Sequence, residues 1–292
     1  MIAYLVNLLI FVGINAIVAQ SLSILIGQLA VFSMAQAVFM EVGAYSAALI
    51  ALHGTSNLIL VILAAMLSSA VIGAAFAIPA LRVKNEYFVI ASLGVQQIVF
   101  TSTQNLKLTG GSNGISGIPA ATLMVPITSA PAFLILTVLL TAGVWVMLHA
   151  IVRSPAGLLM RAIREDEIAA RSLGKRVVLT KTTAIALSAS IAAIAGVLYA
   201  FYLTFIDASA FDLNQSLLVL AMVIIGGADS LSGAVLGAAI VVIAPNLLEF
   251  FKIIPSSILG PTQATLYGVL LVLMMMFRPQ GLVGKRIVVG RE

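Results

Sequence analysis

Charged residues divide this chain into long apolar runs. No Asp, Glu, Lys or Arg occurs in 1–40, 42–81, 87–106, 108–152, 182–206, 213–228, 230–248 or 253–277. A helix needs about 20 mostly apolar residues to cross a bilayer, and most of these runs reach or approach that length. Residues 133–152 are continuously apolar, without the alternation that a strand of a membrane barrel requires. The pattern predicts an all-α, polytopic membrane protein, a single transmembrane domain over 1–292. Spans are expected near 37–52, 58–80, 87–105, 131–152, 182–204, 215–228, 231–249 and 262–278. With the N-terminal run this gives about 8–9 transmembrane helices. Met1-Ile2-Ala3-Tyr4 lacks the basic start of a cleaved signal peptide and reads as the start of a retained span. Residues 21–36 are too short and too polar for an ordinary one.

Composition sharpens the class. The chain is 62% hydrophobic and 9% charged, whereas soluble domains carry about a quarter of their residues as charge. A soluble enzyme, a disordered protein and a nucleic-acid binder are excluded. The lack of cysteine removes disulfides and thiolate metal sites. Basic residues gather at Arg82 and Lys84, within 153–181, and at Arg278, Lys285, Arg286 and Arg291. Lys and Arg favour cytoplasmic loops, so these clusters and the C-terminus are assigned to the cytoplasm. Lys107, Asp207, Asp212, Glu249 and Lys252 then fall outside.

Two segments at membrane depth look unlike lipid-facing helix. One runs from Gly27-Gln28 through Ser33-Met34-Ala35-Gln36 to Glu41-Val42-Gly43; the other is Gly226-Gly227-Ala228-Asp229-Ser230-Leu231-Ser232-Gly233. The stretch from Ser33 to Phe39 parallels that from Ser230 to Leu236. Irregular backbone cannot face lipid, and paired interruptions in two halves of a transporter point to its translocation site. Ser33, Gln36, Glu41, Gly43, Gly226, Gly227, Asp229 and Ser230 are therefore pathway candidates. The glycines also suit close helix packing. Glu41 is the one acid in residues 1–85, and a carboxylate at membrane depth marks either a functional site or a helix end near the headgroups.

On the expected outer side, Thr109-Gly110-Gly111-Ser112-Asn113-Gly114 opens a glycine-rich loop that fits a ligand entrance, a docking surface or a plain turn. On the inner side, 153–181 is the one long polar stretch. Ser154-Pro155 begins a helix and Gly174 ends it. A single helix of about 18 residues is expected, supported by a Glu167–Arg171 pair, with no clean apolar face. Such a helix is either solvated or a docking element.

The spacing Glu167-x-Ala169-Ala170-x-x-x-Gly174 resembles the loop by which ABC importer permeases seat on their ATPases. Arg161-Ala162-Ile163-Arg164-Glu165-Asp166-Glu167, Tyr87-Phe88-Val89-Ile90-Ala91-Ser92-Leu93-Gly94, the 108–117 loop and Phe277-Arg278-Pro279-Gln280-Gly281-Leu282 together resemble the branched-chain amino-acid ABC permeases, the M-type inner-membrane subunit of the Liv system above all. The resemblance implies a type II importer fold in a bacterial plasma membrane. It implies a heterodimer with a sister permease, two cytosolic ATPase subunits and an extracytoplasmic substrate-binding protein. Leucine, isoleucine or valine would be the cargo. ATP and magnesium would be held by the partners, with no cofactor, metal or catalytic residue on this chain. Arg161, Arg164, Glu165, Asp166, Glu167, Ala169, Ala170 and Gly174 would form the ATPase-coupling element. The external loop with Thr109, Gly110, Gly111, Asn113 and Gly114 would face the binding protein.

Three positions depart from the family pattern: Glu41 replaces a small residue, Asp229 a glycine, and Lys175-Arg176 stand where Ile-Asn is usual. The first two leave open a polar cargo, such as urea, a short amide or another amino acid. A secondary transporter using Glu41 directly is the reading from another class. His53 and His149 are isolated and make no enzyme site.

Overall fold

The computed structural model describes residues 2–81, 85–122, 127, 129–250, 265, 268, 272, 276 and 281–283. The basic residues Arg82, Lys84, Lys252, Arg278, Lys285, Arg286 and Arg291 lie outside them, as does nearly all of the span expected at 262–278. Ten helices are described: α1 (Ile2–Leu29), α2 (Gln36–His53), α3 (Leu58–Ala80), α4 (Asn85–Asn105), α5 (Ala130–Arg153), α6 (Pro155–Glu165), α7 (Glu167–Ser172), α8 (Val177–Leu203), α9 (Leu213–Gly226) and α10 (Leu231–Phe250). A two-residue strand β1 (Ile115–Ser116) pairs antiparallel with β2 (Phe205–Ile206).

Polar residues set the helix starts. The Asn57 side chain accepts from the Ile59 amide at 3.1 Å, and Asp212 accepts from the Gln215 amide at 3.1 Å. Each satisfies an amide that the first turn leaves open. Proline lies in the first turn of α5 and of α6, where its missing donor costs nothing. Among the described residues, five segments are long and apolar enough to cross a membrane: Ala3–Leu29, Leu58–Ala80, Ala130–Arg153, Val177–Leu203 and Ala208–Gly226.

Burial separates centre from periphery. In the apolar windows, 83% of α8 and 78% of α1 is buried, against 28% of α3 and 17% of α5. Thus α1 and α8 form the core, and α3 and α5 turn residues such as Leu67 and Leu139 outward, as helices facing lipid tails do. Around this centre α2 packs on α8 and α3, while α10 packs on α1 and α9. The α2–α8 crossing depends on absent side chains: a Cβ on Gly43 would strike the Ala193 backbone, and one on Gly196 the Met40 carbonyl.

Five expectations need correction. The N-terminal run is one continuous helix through Leu29, and the interruption is confined to 30–35; Ser21, Ser23 and Gln28 in its second half bond to other segments, while the buried Gln20 side chain has no partner among the described residues. The polar segment is two helices, because Asp166 leaves the helical region (φ −151°, ψ 105°) and its side chain accepts from the Ile168 and Ala169 amides at 2.8 and 2.9 Å. The segment also ends earlier, at Arg176, since Lys181 belongs to α8. Moreover α6 does have an apolar edge: Gly157, Met160 and Ile163 are buried at three-residue steps. Ser154 precedes α6 without capping it, its hydroxyl donating instead to the Ile151 carbonyl at 2.7 Å.

Candidate functional site

The first interruption begins at Ala30, a non-glycine residue with φ +51°, and α2 starts at Gln36 with no side-chain cap. Hydroxyls from other helices meet amides before and within its first turn: Met34 N donates to Ser92 Oγ at 2.9 Å and Ala37 N to Ser216 Oγ at 3.1 Å. Ser216 in turn donates to Gln96 Oε1 at 3.0 Å, and Gln96 Nε2 to the Phe211 carbonyl at 2.7 Å. The Gln36 amide donates to Ser21 Oγ and, at 3.1 Å, to Ser188 Oγ; Ser188 donates to the Ser21 carbonyl at 2.6 Å. Ser33, Gln36 and Gly43 are all buried. Ser188 lies near the middle of the 27-residue α8, so this polar knot sits at the centre of the bundle. Irregular backbone is tolerated there because protein, not lipid, surrounds it.

Glu41 is on the next turn of α2, 1% exposed, with neither carboxylate oxygen hydrogen-bonded among the described residues. Tyr45, four residues on, is 5% exposed and its hydroxyl is likewise unsatisfied. Thr103 of α4 lies beside Glu41, but its hydroxyl donates to the Val99 carbonyl at 2.9 Å. Among the described residues no cation pairs with Glu41. The helix-end, solvated alternative for this acid is thereby removed.

The second interruption lies at one end of the bundle. After α9, Gly227 takes φ +108°, and Ser230 Oγ accepts from the Gly233 amide at 3.1 Å in the first turn of α10. Residues 281–283 close the α9 terminus, Leu282 N and Val283 N donating to the Ile225 and Gly226 carbonyls at 3.0 and 3.1 Å. Gly27 packs on the Ala228 and Asp229 backbone, where a Cβ would collide, and Ser23 Oγ donates to the Ala228 carbonyl at 3.0 Å.

Helix α6 grips this junction. Arg164 Nη1 donates both to the Gly27 carbonyl and to Asp229 Oδ1. One turn earlier, Arg161 Nε donates to Gln28 Oε1 at 2.7 Å. Asp229 thus faces the polar segment. Beyond the Asp166 break, Glu167 holds Arg171 at 3.0 Å and the buried Lys181 at 2.6 Å, fixing α7 against α8. Ala170 is buried, while Ala169 and Glu165 are exposed. Gly174 adopts φ +74°, a left-handed stop that glycine makes at little cost. Two large apolar side chains on this tip, Ile168 and Leu173, are each 78% exposed.

The glycine-rich loop lies at the other end of α8. Gly110 (φ +75°) and Gly114 (φ +69°) flank a short 3₁₀ turn over Gly111–Asn113. Thr109 Oγ1 lies 2.5 Å from the Thr103 carbonyl and 2.8 Å from that of Leu106, and the β1–β2 pairing ties the loop to the chain leaving α8. Ser33 and Gln36 stand out in the sequence pattern, whereas Ser21, Gln96, Ser188 and Ser216, which bond in the same network, and Lys181, which pairs with Glu167, do not. Their one signal is polarity within, or at the ends of, otherwise apolar spans.

A polytopic helical bundle with one interruption at its centre, and a second beside a polar helical hook at one end, is the architecture of a membrane permease. The chain belongs to the branched-chain amino acid transport system / permease component family, which it matches over residues 4–278. It is 31% identical to the high-affinity branched-chain amino acid transport system permease protein LivM of Salmonella typhimurium, over 92% of this chain and 67% of that protein. The LivM protein of Escherichia coli K12 gives the same figures. A probable branched-chain amino acid transport permease protein LivM of Methanocaldococcus jannaschii is 29% identical over 80% of this chain and 70% of its own length. No solved structure matches.

Proposed function

We propose that this chain is a membrane-spanning subunit of an ATP-driven, type II ABC importer that carries leucine, isoleucine and valine across a bacterial plasma membrane. It works as a heterodimer with a sister permease, receives cargo from an extracytoplasmic binding protein at the 109–114 loop, and draws on ATP and magnesium held by two cytosolic ATPases. The C-terminus and the α6–α7 hook face the cytoplasm, as the clustered basic residues favour. The chain itself makes and breaks no bonds.

One observation supports this reading above all: Arg164 joins the hook both to the last turn of α1, just ahead of the first interruption, and to Asp229 in the second. A partner that moves α7 would pull through α6 on the end of α1 and on the α9–α10 break. The exposed Ile168 and Leu173, with the small Ala169 between them, give that partner an apolar tip to seat. Gln36, Ser33, Glu41 and Gly43 on the α2 side and Gly226, Gly227 and Ser230 on the α9–α10 side are the segments whose rearrangement opens the path.

The test is ATP-dependent uptake of labelled leucine into proteoliposomes holding all the subunits. Wild-type uptake, lost in Glu167→Lys and in Gly174→Pro, is the expected result; unchanged uptake in both variants overturns the coupling assignment. The acids at Glu41 and Asp229 favour a second reading, the same machine carrying urea, a short amide or another polar amino acid. Uptake of urea with none of leucine selects it. Flux through the purified chain alone, abolished by Glu41→Gln, selects a secondary transporter instead.

A further inference from the structure

Helices α1, α9 and α10 enclose a cleft of about 420 Å³. The hydroxyl of Tyr202, next to the C-terminus of α8, donates to Asn7 Oδ1 at 2.6 Å. The cleft therefore lies toward the end of the bundle that carries the glycine-rich loop, away from α6 and α7. Along α1 its lining residues Asn7, Phe11 and Asn15 recur at four-residue steps and form one stripe. Amides in an apolar helix are costly unless bonded or wet, and here three asparagines and a glutamine converge on one space.

Their bonding leaves defined vacancies. Asn15 Oδ1 accepts from Gln215 Nε2 at 3.2 Å, and Asn7 Oδ1 is taken by Tyr202. Among the described residues nothing bonds Gln215 Oε1 or Asn7 Nδ2. The first is a strong acceptor and the second a donor. No charged side chain lines the cleft, and Phe11, Leu218, Met222 and Val241 supply apolar wall. A net ion finds no counter-charge here. A ligand with both a positive and a negative end and an aliphatic body finds a partner for each part, in a volume ordinary for small-molecule sites.

We infer that this cleft is a receiving site on the permease for a zwitterionic aliphatic amino acid. Gln215 Oε1 accepts from the ammonium, the amide donors of the α1 stripe meet the carboxylate directly or through water, and the side chain rests on Phe11, Leu218 and Met222. The inference rests on the importer reading and adds to it a place of contact.

The chain has no cysteine, so Leu218→Cys creates a single reporter thiol. In proteoliposomes holding the complete complex, a small maleimide is expected to label it. Leucine at ten times its dissociation constant should slow labelling about tenfold by mass action, and urea should not. Adding Gln215→Leu should raise the leucine concentration giving half-protection about tenfold, the effect of one lost charge-assisted hydrogen bond. A thiol that does not label, labelling unaffected by leucine, or protection by urea alone overturns the cleft assignment. Uptake by the wild-type complex, measured in parallel, separates the two ideas: leucine transport without protection sinks only the cleft, and no leucine transport sinks the importer reading itself.

Discussion

Arg164 on α6 and Asp229 in the α9–α10 break form an ion pair across 65 positions of sequence, and the same guanidinium nitrogen holds the Gly27 carbonyl at the end of α1. Both side chains are about one-third exposed or less, at 27% and 34%. A pair so placed contributes only about 0–1 kcal/mol of stability. Its consequence is mechanical: one side chain ties the hook to the last turn of α1 and to the α9–α10 break. Asp229→Asn should therefore leave thermal unfolding in detergent nearly unchanged while lowering ATP-dependent uptake. A large stability loss with normal uptake per folded complex would reverse that assignment.

Glu167 bridges partners of different kinds. Arg171 is 66% exposed and Lys181 only 6% at the side chain. Arg171→Ala should cost within about 0.5 kcal/mol. Glu167→Gln, which takes the carboxylate from a buried ammonium, should cost about 1–3 kcal/mol. Unfolding of the two variants in the same detergent checks the order; equal costs would contradict it.

The α2–α8 crossing gives a packing test. Gly196→Val places a side chain against the Met40 carbonyl and should destabilise by about 1–3 kcal/mol or more, as overpacking does. Gly143→Ala in α5 meets no heavy atom within 4 Å and should be neutral or slightly stabilising, since alanine is the better helix former by up to about 1 kcal/mol. Comparing melting temperatures of the two variants decides the matter.

Glu41 should separate stability from transport. A buried carboxylate without a cationic partner costs stability when ionised, so the isosteric Glu41→Gln should raise the melting temperature. If the segment forms part of the moving path, the same change lowers uptake. A variant that is less stable, or more stable with full uptake, removes Glu41 from the path.

Hydropathy made most of the fold legible: α3, α4, α5 and α10 fall close to the apolar runs, and the second break announced itself through Gly226-Gly227-Ala228-Asp229. The continuity of α1 was hidden because Ser21, Ser23, Gly27 and Gln28 look like an interruption when read alone. They are helical because Ser188, Ala228 and Arg161 satisfy or fit them from elsewhere in the chain. The α6–α7 break was hidden for the opposite reason. Arg164-Glu165-Asp166-Glu167 is compatible with helix throughout, and only the preference of aspartate for capping positions hinted at a new start. Pairings such as Arg164 with Asp229, or Gln36 with Ser188, are set by tertiary packing and leave no mark in local sequence.

In the proposed mechanism the hook transmits motion to the end of α1 and to the α9–α10 break through Arg164. Simultaneous measurement of ATP hydrolysis and leucine uptake in proteoliposomes holding the complete complex with Arg164→Ala tests it most directly. Hydrolysis that persists while uptake falls at least about tenfold, a coupling loss of the usual size, is the predicted result. An unchanged ratio of leucine carried to ATP consumed would contradict it.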